Sequence, residues 1–140
     1  TNCPDICPEE LDKISTAIDL VSKNSPASKL QTLFITCDPE RDDPKAIKEY
    51  LKDFHPSIIG ITGPLDLVKE AARLFRVYFK AAKTGTNDSD YLVDHTIFYY
   101  LMDPEGRYVT HFGREHHPED VAQSIVELIQ QYNKSRPAVQ

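Results

Sequence analysis

Two cysteines open the chain, in Cys3-Pro4-Asp5-Ile6-Cys7-Pro8-Glu9-Glu10, with three residues between them. A thiolate is both a nucleophile and a soft metal ligand, so what matters is how readily each thiol ionises. Pro8 suits the first position of a helix, where its missing N–H costs nothing. Glu9 and Glu10 then fall in the first turn, where the helix dipole favours negative charge. This puts Cys7 at or near the N-cap, where unpaired N–H groups lower a thiol's pKa. The segment is polar and proline-rich, which argues against two core thiols; an incidental structural disulfide is the bland alternative. Two thiolates are too few for a closed metal site, so a metal reading needs a third ligand elsewhere.

Of the five histidines, His95 stands apart. It follows the carboxylate of Asp94 and leads into the apolar run Thr96-Ile97-Phe98-Tyr99-Tyr100-Leu101. Two thiolates and one imidazole form a set that suits copper, Cu(I) above all. Zinc prefers a fourth protein ligand or an open catalytic position. Asp94 is placed to support His95 from behind or to act on it electrostatically. A core histidine at a strand entry fits the same spacing, and spacing alone does not choose between the two. His116-His117 reads as a solvated loop and His55 as the end of a helix. The third cysteine, Cys37, reads as a packed core thiol rather than a ligand.

These residues must be positioned by one domain, since 140 residues suffice for a single core. The formal net charge is −6 and no dense lysine or arginine cluster occurs, which disfavours nucleic acid. No apolar run is long enough to cross a membrane. The chain opens at Thr1 rather than at a methionine. The natural protein is therefore expected to continue N-terminally, with any membrane anchor outside these residues.

Apolar spacing at Leu11, Ile14, Ile18 and Val21 predicts a helix over 8–23. Leu33-Phe34-Ile35-Thr36-Cys37 predicts a strand buried on both faces, of the parallel type. The charged loop 38–43 follows, with Asp43 as N-cap of a helix over 44–54. Arg41 there fits either a partner contact or a solvated turn. A strand over 57–61, a helix from Pro64 to Phe75 and a short strand over 76–81 come next. Residues 83–90 form the most flexible-looking stretch. Tyr91-Leu92-Val93-Asp94-His95 leads into a long aromatic strand that ends at Met102, and a turn at Asp103-Pro104-Glu105-Gly106 returns it as a hairpin over 107–112. The last helix opens at Pro118. The expected domain is 1–133, with 134–140 as a tail. This order argues an α/β domain with a mixed sheet and a C-terminal β-hairpin plus helix. A dithiol at the start of the first helix is the thioredoxin-like arrangement.

Taken together, several segments resemble the Sco (SenC-type) copper proteins needed for cytochrome c oxidase assembly, in their mitochondrial form. They are Cys3-Pro4-Asp5-Ile6-Cys7-Pro8-Glu9-Glu10-Leu11, Leu33-Phe34-Ile35-Thr36-Cys37-Asp38-Pro39-Glu40-Arg41-Asp42, Phe54-His55-Pro56 with Gly60-Ile61-Thr62-Gly63, Arg76-Val77-Tyr78-Phe79, and Tyr91-Leu92-Val93-Asp94-His95-Thr96. The resemblance implies a thioredoxin-like fold with Cys3, Cys7 and His95 as ligands of copper, as Cu(I) or Cu(II). It implies an upstream copper donor protein and delivery to the binuclear copper site of cytochrome c oxidase subunit 2. It also implies a domain facing the mitochondrial intermembrane space, anchored in the inner membrane. The strand that precedes the dithiol in the family is missing here, and Cys37 inherits no role.

The alternative is a thiol–disulfide oxidoreductase that reduces the cysteines of that copper site. The dithiol chemistry is available. Against it, the cysteine spacing departs from the two-residue spacing of thioredoxin-type enzymes, and Asp94-His95-Thr96 lacks the proline such enzymes set against their dithiol. Sequence favours the carrier and leaves the enzyme reading open.

Overall fold

The structure is a computed structural model that describes residues 1–25, 30–83 and 91–135. The chain divides into two compact units, Thr1–Glu9 with Gln31–Ile97, and Glu10–Leu30 with Phe98–Gln140.

The first helix, α1, spans Ile6–Asn24, two residues earlier than expected. Pro8 is therefore its third residue, not its first. It is tolerated because it still lies in the opening turn, whose N–H groups have no helical acceptor.

In the first unit, β1 (Thr32–Ile35) pairs in parallel with β2 (Ile58–Ile61), Thr32 opposite Ile58 and Ile35 opposite Ile61. The connection carries α2 (Pro44–Tyr50), extended by a 3-10 turn at Leu51–Asp53. Asp43 caps α2 as expected: its carboxylate accepts from the Ala46 N–H at 2.7 Å, and Pro44 takes the first turn. Ile47 and Leu51 sit over Gly60, where a Cβ would meet Ile47 Cγ2 at 2.1 Å. The close approach of α2 to β2 therefore requires a glycine there.

The expectation that β1 is buried on both faces is corrected. Leu33 is 54% exposed and Ile35 40%, and their cross-strand neighbours Ile59 and Ile61 are exposed too. The strand is apolar on both faces, but its described surroundings cover only the face turned to α2.

Helix α3 (Leu65–Leu74) ends in a tight reversal. Arg76 takes a left-handed φ of 54°, and the Val77 N–H reaches back to the Ala72 carbonyl at 2.8 Å. This delays the next strand, β3, to Phe79–Lys83. It pairs antiparallel with β4 (Tyr91–His95), Lys83 opposite Tyr91 and Phe79 opposite His95. The flexible-looking stretch lies outside the described residues from position 84 onward.

Residues 91–95 form a strand of their own, so His95 ends a strand rather than entering one, and the expected aromatic strand after it starts only at Tyr99. At the break the Thr96 N–H donates to the Tyr78 carbonyl at 2.9 Å, and the Thr96 hydroxyl oxygen accepts from the Tyr78 N–H at 2.9 Å.

In the second unit, β5 (Tyr99–Met102) and β6 (Tyr108–Phe112) form the expected hairpin. Its turn closes through Asp103, whose carboxylate accepts from the N–H groups of Glu105 and Arg107, with Gly106 at φ 78°. Helix α4 (Pro118–Ser135) follows. Ala17 and Val21 of α1 pack with Phe112, Val121, Ile125 and Val126 to form the core. Tyr99 and Leu101 lie against it. Of the expected tail, residues 136–140 lie outside the described region.

Candidate metal centre

The dithiol loop folds back on the start of α1. Burial opposes ionisation of Cys3, but the N–H groups of Cys7, Asp5 and Ile6 and the Cys7 thiol all bond its sulfur and hold its pKa below the ordinary value. Cys7 behaves in the opposite way. Burial, its hydrogen bond to Cys3 and the Cys3 charge push it up to about 12. The sequence expectation that Cys7 is the ionised thiol at the N-cap is thus corrected. The helix starts one residue before Cys7, so Cys7 lies inside the first turn. The bends at Pro4 and Asp5 bring the Cys3 sulfur to the unpaired N–H groups instead.

His95 ends β4 and turns its ring to the dithiol, with Nε2 3.3 Å from Cys7 Sγ. Its Nδ1 lies 2.9 Å from the Thr96 carbonyl oxygen. A carbonyl only accepts, so Nδ1 carries the proton and Nε2 presents its lone pair to Cys7. The Cys7 thiol therefore has one proton and two acceptors, Cys3 Sγ and His95 Nε2. Cys3, Cys7 and Cys37 are free thiols, each partly buried.

The structure joins Cys3 to Cys7 and Cys7 to His95, but not all three around one point. Among the described residues no group of three His, Cys, Asp or Glu side chains converges closely enough to hold a metal ion. Asp94 takes the opposite, exposed side of β4, as the two-residue period of a strand requires. Its carboxylate bonds neither His95 nor either thiol. Cys37 lies just past β1, where burial and the charges of Asp38 and Asp42 raise its pKa. It is only partly buried and belongs to no core cluster among the described residues, and its charge is felt by Cys7.

The other histidines lie elsewhere. His55 accepts from the Ser57 N–H at 3.1 Å. His111 Nδ1 meets the Tyr108 hydroxyl at 2.6 Å, and His116 Nδ1 takes the Gly113 N–H at 3.2 Å.

Sequence reasoning missed the part played by the loop after β1. Asp42 is 1% exposed. It accepts from the Thr1 hydroxyl at 2.6 Å and the Thr36 hydroxyl at 2.6 Å. Burial opposes its ionisation, but these donors hold its carboxyl below the ordinary value. Arg41 Nε donates to Asp38 at 2.5 Å, and its Nη1 donates to the Tyr91 carbonyl at 2.9 Å. The guanidinium also lies 3.7 Å above the Tyr91 ring, whose hydroxyl donates to Asp38 at 2.7 Å. The signal was present: five charged residues in six positions, at the C-terminal end of a parallel strand.

The family model described as SCO1/SenC matches residues 1–130. "Protein SCO1, mitochondrial" of Saccharomyces cerevisiae is 51% identical over 132 residues, which cover 94% of this chain and 44% of the yeast protein. The crystal structure of Arabidopsis thaliana ScoI with copper bound matches with a TM-score of 0.86 at 45% identity, over 94% of this chain and 80% of that one. Yeast Sco1 with copper bound gives 0.84 at 46% identity, over 98% and 78%. The chain spans about half the length of the curated relatives it matches. The expected thioredoxin-like α/β fold is the fold of these neighbours. With nearly all of its length matched by the family model, the chain belongs to the SCO1/SenC family.

Proposed function

We propose that this chain is a copper carrier. It binds the ion through Cys3, Cys7 and His95 and delivers it to the binuclear copper site of cytochrome c oxidase subunit 2 during assembly. The carrying observation is the 3.3 Å approach of His95 Nε2 to Cys7 Sγ, lone pair toward sulfur, with Cys3 bonded to Cys7. Two sulfurs and one imidazole nitrogen fit a soft monovalent copper ion better than a hard cation. Copper bound in solved relatives that match nearly the whole chain supports the same reading.

An upstream protein supplies the copper. The domain faces the mitochondrial intermembrane space and is tethered to the inner membrane from outside these residues. None of the described helices is long and apolar enough to cross a membrane, and a mitochondrial relative supports the location. Asp94 acts on the site through its charge alone.

Anaerobic Cu(I) titration of the reduced domain tests the reading, beside His95→Ala and Cys3→Ser. The expected result is one copper per chain, weakened by either substitution. Full binding by His95→Ala would remove the histidine from the site. A folded, reduced chain that binds no Cu(I) would overturn the carrier reading. The second reading, reduction of disulfides in the target site, is favoured by one feature: Cys3 is a low-pKa, half-exposed thiol beside a second thiol that could resolve a mixed disulfide.

A further inference from the structure

Tyr91 and His95 are the first and last residues of β4. A five-residue strand is a stiff rod, about 13 Å long between its end residues at roughly 3.3 Å each. Whatever fixes Tyr91 therefore helps to aim His95. Two residues of one loop fix it in three ways. Arg41 bonds its carbonyl and covers its ring, and Asp38 takes its hydroxyl. The planar guanidinium makes the bond to Asp38 and the bond to the Tyr91 carbonyl at once, a fork that an ammonium lacks.

The same loop also reaches the dithiol. Asp42 holds the hydroxyl of Thr1, two residues before Cys3, and ties it to Thr36 at the end of β1. The two anchor points belong to one tight turn. The N–H groups of Arg41 and Asp42 both donate to the Asp38 carbonyl, at 3.2 and 2.9 Å, and the Asp38 N–H donates to the Thr36 hydroxyl oxygen at 2.9 Å.

We propose that the turn at residues 36–42 is a bracket for the metal centre: Asp42 holds the dithiol arm, Asp38 and Arg41 hold the histidine arm through Tyr91, and together they set the separation of Cys7 from His95. Arg41, Asp38, Tyr91 and Asp42 are positioning residues and touch no copper themselves. The proposal rests on the copper reading above and adds which residues make the three donors a usable set.

Cu(I) affinity of Arg41→Ala, Arg41→Lys, Tyr91→Phe and Asp42→Ala, each in wild-type and His95→Ala backgrounds, tests it. Hydrogen exchange of the metal-free proteins is measured beside it. Partners that orient ligands cost about 10–100-fold in metal affinity when removed. Arg41→Ala is expected at the top of that range and Tyr91→Phe, which keeps the ring under the guanidinium, at the bottom. Arg41→Lys should fall between them, because the charge survives and the fork does not.

In the His95→Ala background the Arg41 and Tyr91 substitutions should cost nothing more, whereas Asp42→Ala should still weaken binding through the thiols. Metal-free Arg41→Ala should lose exchange protection in β4 and keep it in α1. Equal losses in both backgrounds would mean general destabilisation and would overturn the bracket. So would full Cu(I) affinity in Arg41→Ala with β4 loosened.

If His95→Ala binds copper normally, the copper reading of the histidine fails separately, and exchange alone decides. Unchanged β4 protection in Arg41→Ala then overturns the bracket, and loss confined to β4 supports it. Tyr91→Phe, a one-atom change, keeps the test available if Arg41→Ala does not fold.

Discussion

Iodoacetamide should label Cys3 far ahead of Cys7 in the reduced, metal-free protein. The reason is the division of the two thiols between the helix N–H groups and the interior. Cys3 lies below the ordinary thiol value and Cys7 is pushed up to about 12. At pH 8 a thiol titrating at 9.0 is about 9% thiolate, and one at 12 is about 0.01%, so the populations differ by at least about 900-fold. The more basic thiolate is the better nucleophile. A Brønsted slope of about 0.4–0.5 over three pH units returns roughly a factor of 20. The net preference for Cys3 is then at least about 40-fold.

The assay is a short substoichiometric pulse at pH 8, followed by fragmentation of the N-terminal peptide in the mass spectrometer. Trypsin alone does not separate the two cysteines, because no lysine or arginine lies between Cys3 and Cys7. Repeated across pH, Cys3 labelling should level off first, while Cys7 labelling keeps rising toward pH 12. Equal rates, or Cys7 first, would refute the assignment and return the low-pKa thiol to the position that a helix starting at Pro8 would have given it.

Two more perturbations probe the frame. Gly60→Ala puts a Cβ 2.1 Å from Ile47 Cγ2 and 2.9 Å from Leu51 Cδ1. It should cost about 1–3 kcal/mol of stability by overpacking, read as a lower urea midpoint; an unchanged midpoint would mean that α2 is not seated on β2. Asp42→Asn should cost about 1.5–3 kcal/mol at neutral pH, the range for hydrogen bonds to a charged group. The folded carboxyl lies below its ordinary value, so the ionised form stabilises the fold above the unfolded pKa, and that contribution is lost as pH falls through the folded one. The gap to wild type should therefore close in acid, and a gap that stays constant from pH 7 down through the carboxylate range would show that Asp42 stabilises by shape rather than charge.

Local chemistry was the legible part of this chain. The Asp43 cap, the glycine turn of the β5–β6 hairpin and the proline that opens α4 each depend on a few adjacent residues, and each formed where its residues predict. The approach of His95 to the dithiol crosses 88 positions of sequence. Neither its distance nor its tautomer follows from spacing, and the core-histidine reading fitted the sequence equally well. The misplaced thiolate has the same origin. Periodicity locates a helix to within a turn, yet one residue decides which sulfur meets the unpaired N–H groups. The role of the loop after β1 was illegible for a different reason. Its charged residues look solvated in sequence, because two of the partners that hold Asp42 and Asp38 lie far off, Thr1 at 41 positions and Tyr91 at 53.

The inequality of the two sulfurs bears on how such a site could both hold and give up its cargo. Cys3 is kept ready to ionise by N–H groups that are fixed in the backbone. Cys7 keeps its proton and shares it between Cys3 and the imidazole. Binding of a metal ion by all three donors must expel that proton, so affinity is linked to pH through Cys7 across the whole range below about 12. It must also draw Cys3 and His95 toward one centre, which the metal-free chain does not do by itself. Both requirements subtract from affinity and neither removes a ligand. A partner dithiol that competes for the ion is helped by each of them, because release returns the proton to Cys7 and lets the three donors relax apart.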